Sequence, residues 1–417
     1  MPLSSEATAA AASGQRWALA AQGCFFLAAA GCFTSPPLAN IGAGLGLIAF
    51  LATPGAWARL REAAARPVGI GLLVLLATMA VAMLWADVPW GQRFAAWWSW
   101  RPLLLLLVGS ALFGAARSKD RFALALVGVL AVGAVASFLV LLLPNPVFID
   151  QPGVILRNHT TQGMAFVVGT VLAAMLAWGR PVPRRLRLAL FAAIVLFVAN
   201  LALVTAGRSA HVALLVASAL GTFSLMEGRW RWGAALGVLL AGTAILASSS
   251  MVRDRFQTAF GELDTAMTVT SETAIGSRIV IWRTTRELIA QRPLLGYGVG
   301  GFAPAYAQLI QQQHYAAWHA EVKDAQNQYL RVMVEAGIPG VLALLAFVVG
   351  VLRQPAPAPY RGAARALFVA WLFTSLFNSH FQTFAEAHLI ALVLGVLLAP
   401  EAGAQPSPSS VATAAAT

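Results

Sequence analysis

Residues 188–226 read LALFAAIVLFVANLALVTAGRSAHVALLVASALGTFSLM. Two apolar runs, 188–206 and 210–226, flank a turn of a few residues that carries a single charge, Arg208. Runs this long and this poor in charge are expected to be helices that cross a bilayer. The pattern continues in both directions. Further spans are expected at 16–34, 38–54, 67–86, 97–116, 122–143, 163–179, 233–250, 329–352, 364–380 and 383–399, about twelve in all. Composition agrees: 59% of the 417 residues are hydrophobic and 11% charged, against about 25% charged in soluble domains. The expected fold class is an all-α polytopic membrane protein.

The net charge of +12 does not point to nucleic acid, because its distribution is topological. One alternating set of loops holds Arg16; Arg59, Arg61 and Arg66; Arg117, Lys119 and Arg121; Arg180, Arg184, Arg185 and Arg187; Arg229 and Arg231; and Arg353, Arg361 and Arg365. The opposite short loops hold only Arg93, Arg157 and Arg208, with Arg101 just inside a span. The positive-inside rule makes the first set, and both termini, cytoplasmic. Trp85, Trp90, Trp97, Trp98 and Trp100 fit an interfacial aromatic belt around one outer loop. Cys24 and Cys32, about 12 Å apart on one helix at 1.5 Å per residue, cannot bridge each other.

Four regions follow: helices 1–9 in 1–250, a helical outer loop domain in 251–328, helices 10–12 in 329–400, and a disordered tail in 401–417. The long loop and its smaller companion, PNPVFIDQPGVILRNHTTQ at 144–162, are where chemistry is expected. No inverted repeat with matching broken helices is evident, which weakens a transporter reading.

Arg208 is pinned at the membrane edge, where a guanidinium either snorkels to headgroups or meets an anion. Arg278 opens a helix in GSRIVIWRTTRELIAQRP, with Ser277 as N-cap and Pro293 as terminator. A cation at a helix N-terminus makes sense if an anion sits between it and the free N–H groups. Arg283 and Arg286 fit a solvated face, with Arg283 and Arg157 as lesser phosphate candidates. GYGVGG at 296–301 has the glycine density of a phosphate loop but neither a preceding strand nor a Lys-Ser/Thr, so it reads as a flexible turn. His314, His319, Glu321 and Asp324 show no metal-ligand spacing. His159 and His380 read as interfacial hydrogen-bonding groups, and His211 and His388 as satisfied interior residues. Arginine throughout suits bidentate phosphate recognition.

At the end of the polar segment stands KDAQNQYLRVMVEAGIPG, residues 323–340. Gln326–Tyr329 form a polar patch at the top of a span, and Gly337 and Pro339 should kink it. This stretch resembles the O-antigen ligase/polymerase superfamily. There a His-Asn pair precedes a Tyr-Leu stretch, and nine residues separate the Asn from a Gly-x-x-Gly. Asn327, Tyr329, Leu330, Gly337 and Gly340 fit those positions. SRIVIWRTTRELIAQRPLLGYGVGGF and AGRSA resemble the family's arginine-tryptophan helix, its glycine run and its arginine before a span. The resemblance covers roughly 150–345 and implies a GT-C-like membrane enzyme with one large periplasmic loop.

The departure is Gln326, where the family places a histidine taken as general base. A neutral amide has no useful basicity near pH 7. Three readings stay open: a natural variant with another base, His319 or Asp324 being nearest; an installed, inactivating substitution, favoured by the completeness of the rest of the motif; or lost catalysis with retained binding. The resemblance implies an inner-membrane glycosyltransferase. It would move a glycan from undecaprenyl diphosphate to a sugar hydroxyl of lipid A–core, with inversion, no cofactor, metal or nucleotide, and no nucleic-acid partner. Arg208 and Arg278 would hold the diphosphate, position 326 the acceptor hydroxyl; Asn327, Tyr329 and His319 would complete the substrate site. An O-antigen polymerase, a protein O-oligosaccharyltransferase and a lipid-linked anion flippase are the alternatives.

Overall fold

The computed structural model describes residues 5–142, 152–205, 207–254, 257–258, 274–312 and 322–401. Among the described residues the regular structure is helical, with no strand. The helices are α1 (Ser5–Thr34), α2 (Pro36–Leu51), α3 (Ala56–Ala65), α4 (Pro67–Ala82), α5 (Trp90–Trp98), α6 (Leu105–Leu112), α7 (Ala116–Leu141) and α8 (His159–Gly179). They continue with α9 (Arg184–Leu203), α10 (Arg208–Leu225), α11 (Trp230–Ser248), α12 (Ala274–Gln291), α13 (Phe302–Gln312), α14 (Gln328–Arg353), α15 (Tyr360–Thr374) and α16 (Phe384–Leu397).

Every expected span carries helix, but not every one is a simple crossing. Among the described residues, eight helices are long and apolar enough to cross a membrane, or up to ten if two bent pairs each count as one span. The pair α2–α3 bends by 111° at Thr53-Pro54-Gly55, where Gly55 takes φ 70°. The helix of α5 and that of 101–112 meet at 42°, beside Pro102. Proline removes a helical donor and glycine adopts the left-handed turn, so both breaks have a local cause. α15 and α16 have 15 and 14 residues, about 21–23 Å of helix against a hydrocarbon core of about 30 Å.

α16 is the interior pillar. Every residue from Ala385 to Leu397 is buried, as expected of a helix that is apolar on all sides but for Glu386 and His388. It approaches the 105–112 segment closely: a Cβ on Gly109 would lie 3.0 Å from the Cα of Gly395. Small residues at such crossings let backbones pack where no hydrophobic effect drives association. α11 is the opposite case, with 6% of its apolar window buried, so its sides meet lipid. Cys24 and Cys32 are both free thiols. Of the five tryptophans, Trp90 and Trp98 are exposed, Trp85 and Trp97 are half-buried, and Trp100 is fully buried. Trp100 therefore belongs to the core and not to a belt.

The two ends of the bundle differ. At one end Asp120 accepts from Arg180 at 2.9 Å and from the Tyr360 hydroxyl at 2.6 Å, and Lys119 donates to the Ala399 carbonyl. Gln354 reaches Val68 N at 3.4 Å at the same end. The loops that the sequence grouped by positive charge thus converge. The other end gathers the connections near 85–89, 292–301, 324–327 and 375–383. There a second, smaller core forms from Val280, Ile281 and Leu288 of α12, Phe302, Tyr306, Leu309 and Ile310 of α13, and Ala325 and Val334.

Candidate active site

α14 starts at a tightly specified cap. Asn327 Oδ1 accepts from Tyr329 N at 2.9 Å and Leu330 N at 3.1 Å, satisfying two otherwise orphan donors. The residue before it, Gln326, sits at φ 48°. That left-handed conformation is uncommon for a residue with a Cβ and is held by its surroundings. Its side chain meets α12: Arg278 Nε donates to Gln326 Oε1 at 2.9 Å. Two site candidates 48 residues apart in sequence are therefore in direct contact.

The cap is also fastened to the 372–381 segment. Asn327 Nδ2 donates to the Leu376 carbonyl at 3.0 Å, and the Tyr329 hydroxyl to the Leu372 carbonyl at 2.7 Å. Gln328 N donates to the Ser375 carbonyl at 2.9 Å, and Phe381 N to Gln328 Oε1 at 3.0 Å. These bonds let the 375–383 connector leave helical structure inside the bundle, because its backbone groups find protein partners. Asn327 and Tyr329 act here through the scaffold, fixing where Gln326 stands.

α12 begins by Ala274, a full turn before the expected start. Ser277 is thus not its N-cap, and Arg278 lies one turn inside the helix. The anion site argued from free N–H groups at Arg278 does not exist in that form; what Arg278 offers is its guanidinium. Arg283 and Arg286 are exposed, and Trp282 packs on Phe377 with ring centroids 6.1 Å apart.

The segment 292–301 is not a flexible turn. Gly296, Gly298 and Gly300 take φ 67°, 82° and 85°, and the loop is clasped onto α14. Tyr297 N donates to the Val334 carbonyl at 2.7 Å, and Ile338 N to the Leu294 carbonyl at 3.2 Å. The second bond requires the break at Gly337, which takes φ 61° and ψ −153° inside α14. A Cβ on Gly296 would lie 2.3 Å from the Val334 oxygen, and one on Gly337 2.1 Å from the Leu294 oxygen. Burial pushes the Tyr297 phenol up, opposed by Arg292, so it stays a neutral donor to Gln291 Oε1 at 2.8 Å. The glycines serve backbone contact, and the amides of Gly296, Tyr297, Val299, Gly300 and Gly301 bond within the protein.

Arg208 is the first residue of α10 and is half-buried; the turn before it packs on α8, a Cβ on Gly207 falling 3.3 Å from the His159 ring. Arg157 is exposed, at φ 66°, with its guanidinium 5.3 Å from the Phe384 ring centre. Thr161 donates to Glu386 Oε1 at 2.9 Å, tying α8 to α16. His211 and His388 are buried and contact the Leu201 and Phe384 carbonyls at 2.8 and 2.7 Å. His380 differs from expectation. It is 1% exposed, and its Nε2 has no hydrogen-bond partner among the described residues. His319, with His314 and Glu321, lies outside the described residues.

Sequence reasoning missed the ionic fork beside Gln326. Asp324 Oδ1 accepts from Ser379 Oγ at 2.6 Å and from Arg331 Nη1 at 3.2 Å. Arg331 Nε lies 3.6 Å from the buried Glu335 carboxylate, one turn further along α14. The Arg331–Glu335 spacing on an otherwise apolar helix was the available signal. Among the described residues no group of three His, Cys, Asp or Glu is placed to hold a metal ion.

Residues 195–345 match the family model described as O-antigen ligase. That match, over about a third of the chain, supports membership of the O-antigen ligase superfamily. The matched segment contains Arg208, Arg278, Gln326–Tyr329 and both glycines of the kink, whereas Arg157 lies before it. No curated protein matches the chain. Membership implies a multi-pass membrane enzyme of the O-antigen ligase/polymerase type, and in general a lipid-linked glycan and a lipid acceptor as substrates.

Proposed function

We propose that this protein transfers a glycan from undecaprenyl diphosphate to a sugar hydroxyl of lipid A–core, at the periplasmic face of the inner membrane. The observation that carries this reading is the 2.9 Å bond between Arg278 and Gln326. It puts a phosphate-binding group beside the position where the acceptor hydroxyl would stand. Arg208 and Arg278 neutralise the diphosphate as the sugar C1–O bond breaks. Fixed guanidiniums aimed at developing charge are worth more in such a site than in water. Direct attack at C1 inverts the anomeric centre. Arg157 and Arg283 are peripheral phosphate contacts, and Asn327 and Tyr329 hold the site's frame. The outward orientation is supported by the basic loops converging at the opposite end.

The test is an acceptor assay. Purified protein receives carrier-linked glycan with rough lipopolysaccharide, with a second carrier-linked unit, or with a pilin-like protein. Transfer to rough lipopolysaccharide alone is expected. Chain extension on the second unit would make it a polymerase, and transfer to protein an oligosaccharyltransferase. Lipid flux into proteoliposomes without any transfer would overturn the enzymatic reading.

A further inference from the structure

Attack by a sugar hydroxyl releases a proton, and Gln326 cannot take it. Its amide oxygen is in any case occupied by Arg278 at 2.9 Å. The described titratable groups near it are Asp324, Glu335, His380 and Glu386. Glu335 and His380 are each 1% exposed, and Glu386, at 7%, is held by Thr161. Asp324 keeps 34% of its side chain exposed. It precedes Gln326 by two residues, a span of at most about 7 Å of chain. Ser379 and Arg331 both bond its Oδ1. Its Oδ2 takes no hydrogen bond among the described residues. One oxygen is thus fixed by the protein and the other is available.

We propose that Asp324 is the proton acceptor of this enzyme, replacing the imidazole that the 326 position lacks. The inference rests on the transfer reading above and takes Gln326 as a natural variant. As the acceptor oxygen bonds to C1, its proton passes to Asp324 Oδ2. The C1–O electron pair leaves with the carrier diphosphate. Ser379 and Arg331 are positioning residues that hold the carboxylate plane. The other charged groups around Asp324 are Lys323 beside it, Glu335 of α14 and Arg278 of α12. His380 belongs to the 375–383 connector and Glu386 to the first turn of α16, and the nearby charges acting on His380 are those of Glu386 and Asp324.

The experiment compares wild type, Asp324→Asn and the double variant Asp324→Asn/Gln326→His in the transfer assay, each checked by size exclusion and thermal midpoint. Asp324→Asn keeps the Ser379 bond and is expected to lower kcat by about 10²-fold or more, with donor KM little changed. Gln326→His should restore turnover in that background. The acid limb of the pH–rate profile should then move upward, as an imidazole replaces a carboxylate. Asp324→Asn turnover within about threefold of wild type overturns the proposal. So does loss that Gln326→His fails to restore, which marks a structural role. If Asp324→Asn does not fold, wild type and His319→Ala decide: turnover that survives in His319→Ala with a carboxylate-range acid limb supports Asp324, whereas loss of turnover in His319→Ala with an imidazole-range acid limb in wild type assigns the proton to His319 and overturns the proposal. Absence of transfer by wild type with every acceptor instead defeats the transfer reading itself.

Discussion

Gln326 is held in a left-handed turn by the cap behind it and by Arg278 in front. In the proposed reaction its neighbour's guanidinium is the group on which the chemistry depends. Arg278→Ala is expected to lower transfer by about 10²–10³-fold in kcat, the usual cost of removing one preorganised stabiliser of developing charge. Arg278→Lys should recover only a small part, because an ammonium cannot reproduce the planar fork. Steady-state rates in detergent or nanodiscs check both. Arg331 makes a stability prediction. Arg331→Ala leaves the buried Glu335 without its cation, expected to cost about 3–5 kcal/mol in thermal or denaturant unfolding. Arg331→Ala/Glu335→Leu should lose less than the single variant. Equal losses would show that the pair does not couple. Arg208, Arg278 and Gln326 stand out in the sequence as candidates through motif and position. Their partners do not, because Arg278 meets Gln326 across 48 residues. His380 was misjudged for the same reason: burial by the connector depends on tertiary packing.

At the scale of elements, the glycine-rich segment and the kink of α14 form one device. Gly296 and Gly337 each sit where a carbonyl of the other segment approaches, so substitution on either side strikes backbone. Gly337→Ala and Gly296→Ala should each lower the thermal midpoint by several degrees and impair transfer through displacement of the cap at Asn327. Gly128→Ala, in α7 with nothing within 4 Å of its Cβ position, should leave both unchanged. A Gly337→Ala protein as stable as wild type would show that the clasp is not required. The existence of the helices was legible because apolar runs have few other solutions in a bilayer. The 53–55 and 101–102 breaks were marked by Pro and Gly. The 375–383 connector was hidden, since Leu376, Phe377 and Phe381 lend it apolar weight while Asn327, Gln328 and Tyr329 satisfy its backbone. The early start of α12 was also hidden, because Ser277 made a plausible cap in isolation.

The whole molecule has one end built from Asp120, Arg180, Lys119 and Tyr360, and another that gathers the family's motif. The alternation of basic loops predicted this segregation, since charge in membrane loops records topology. Single cysteines placed at exposed Arg361 and Arg283, in a background lacking Cys24 and Cys32, should react with impermeant reagent from opposite faces. Labelling of both from one face would contradict the topology. The central claim, that Arg208 and Arg278 hold a lipid diphosphate, is tested most directly by photocrosslinking. A photoreactive undecaprenyl diphosphate in nanodiscs should label the 207–209 turn and the 276–279 turn of α12. Labelling should fall at least tenfold in Arg208→Ala/Arg278→Ala protein of unchanged thermal stability. Labelling that persists in that variant, or that maps to the Asp120–Arg180 end, would contradict the account.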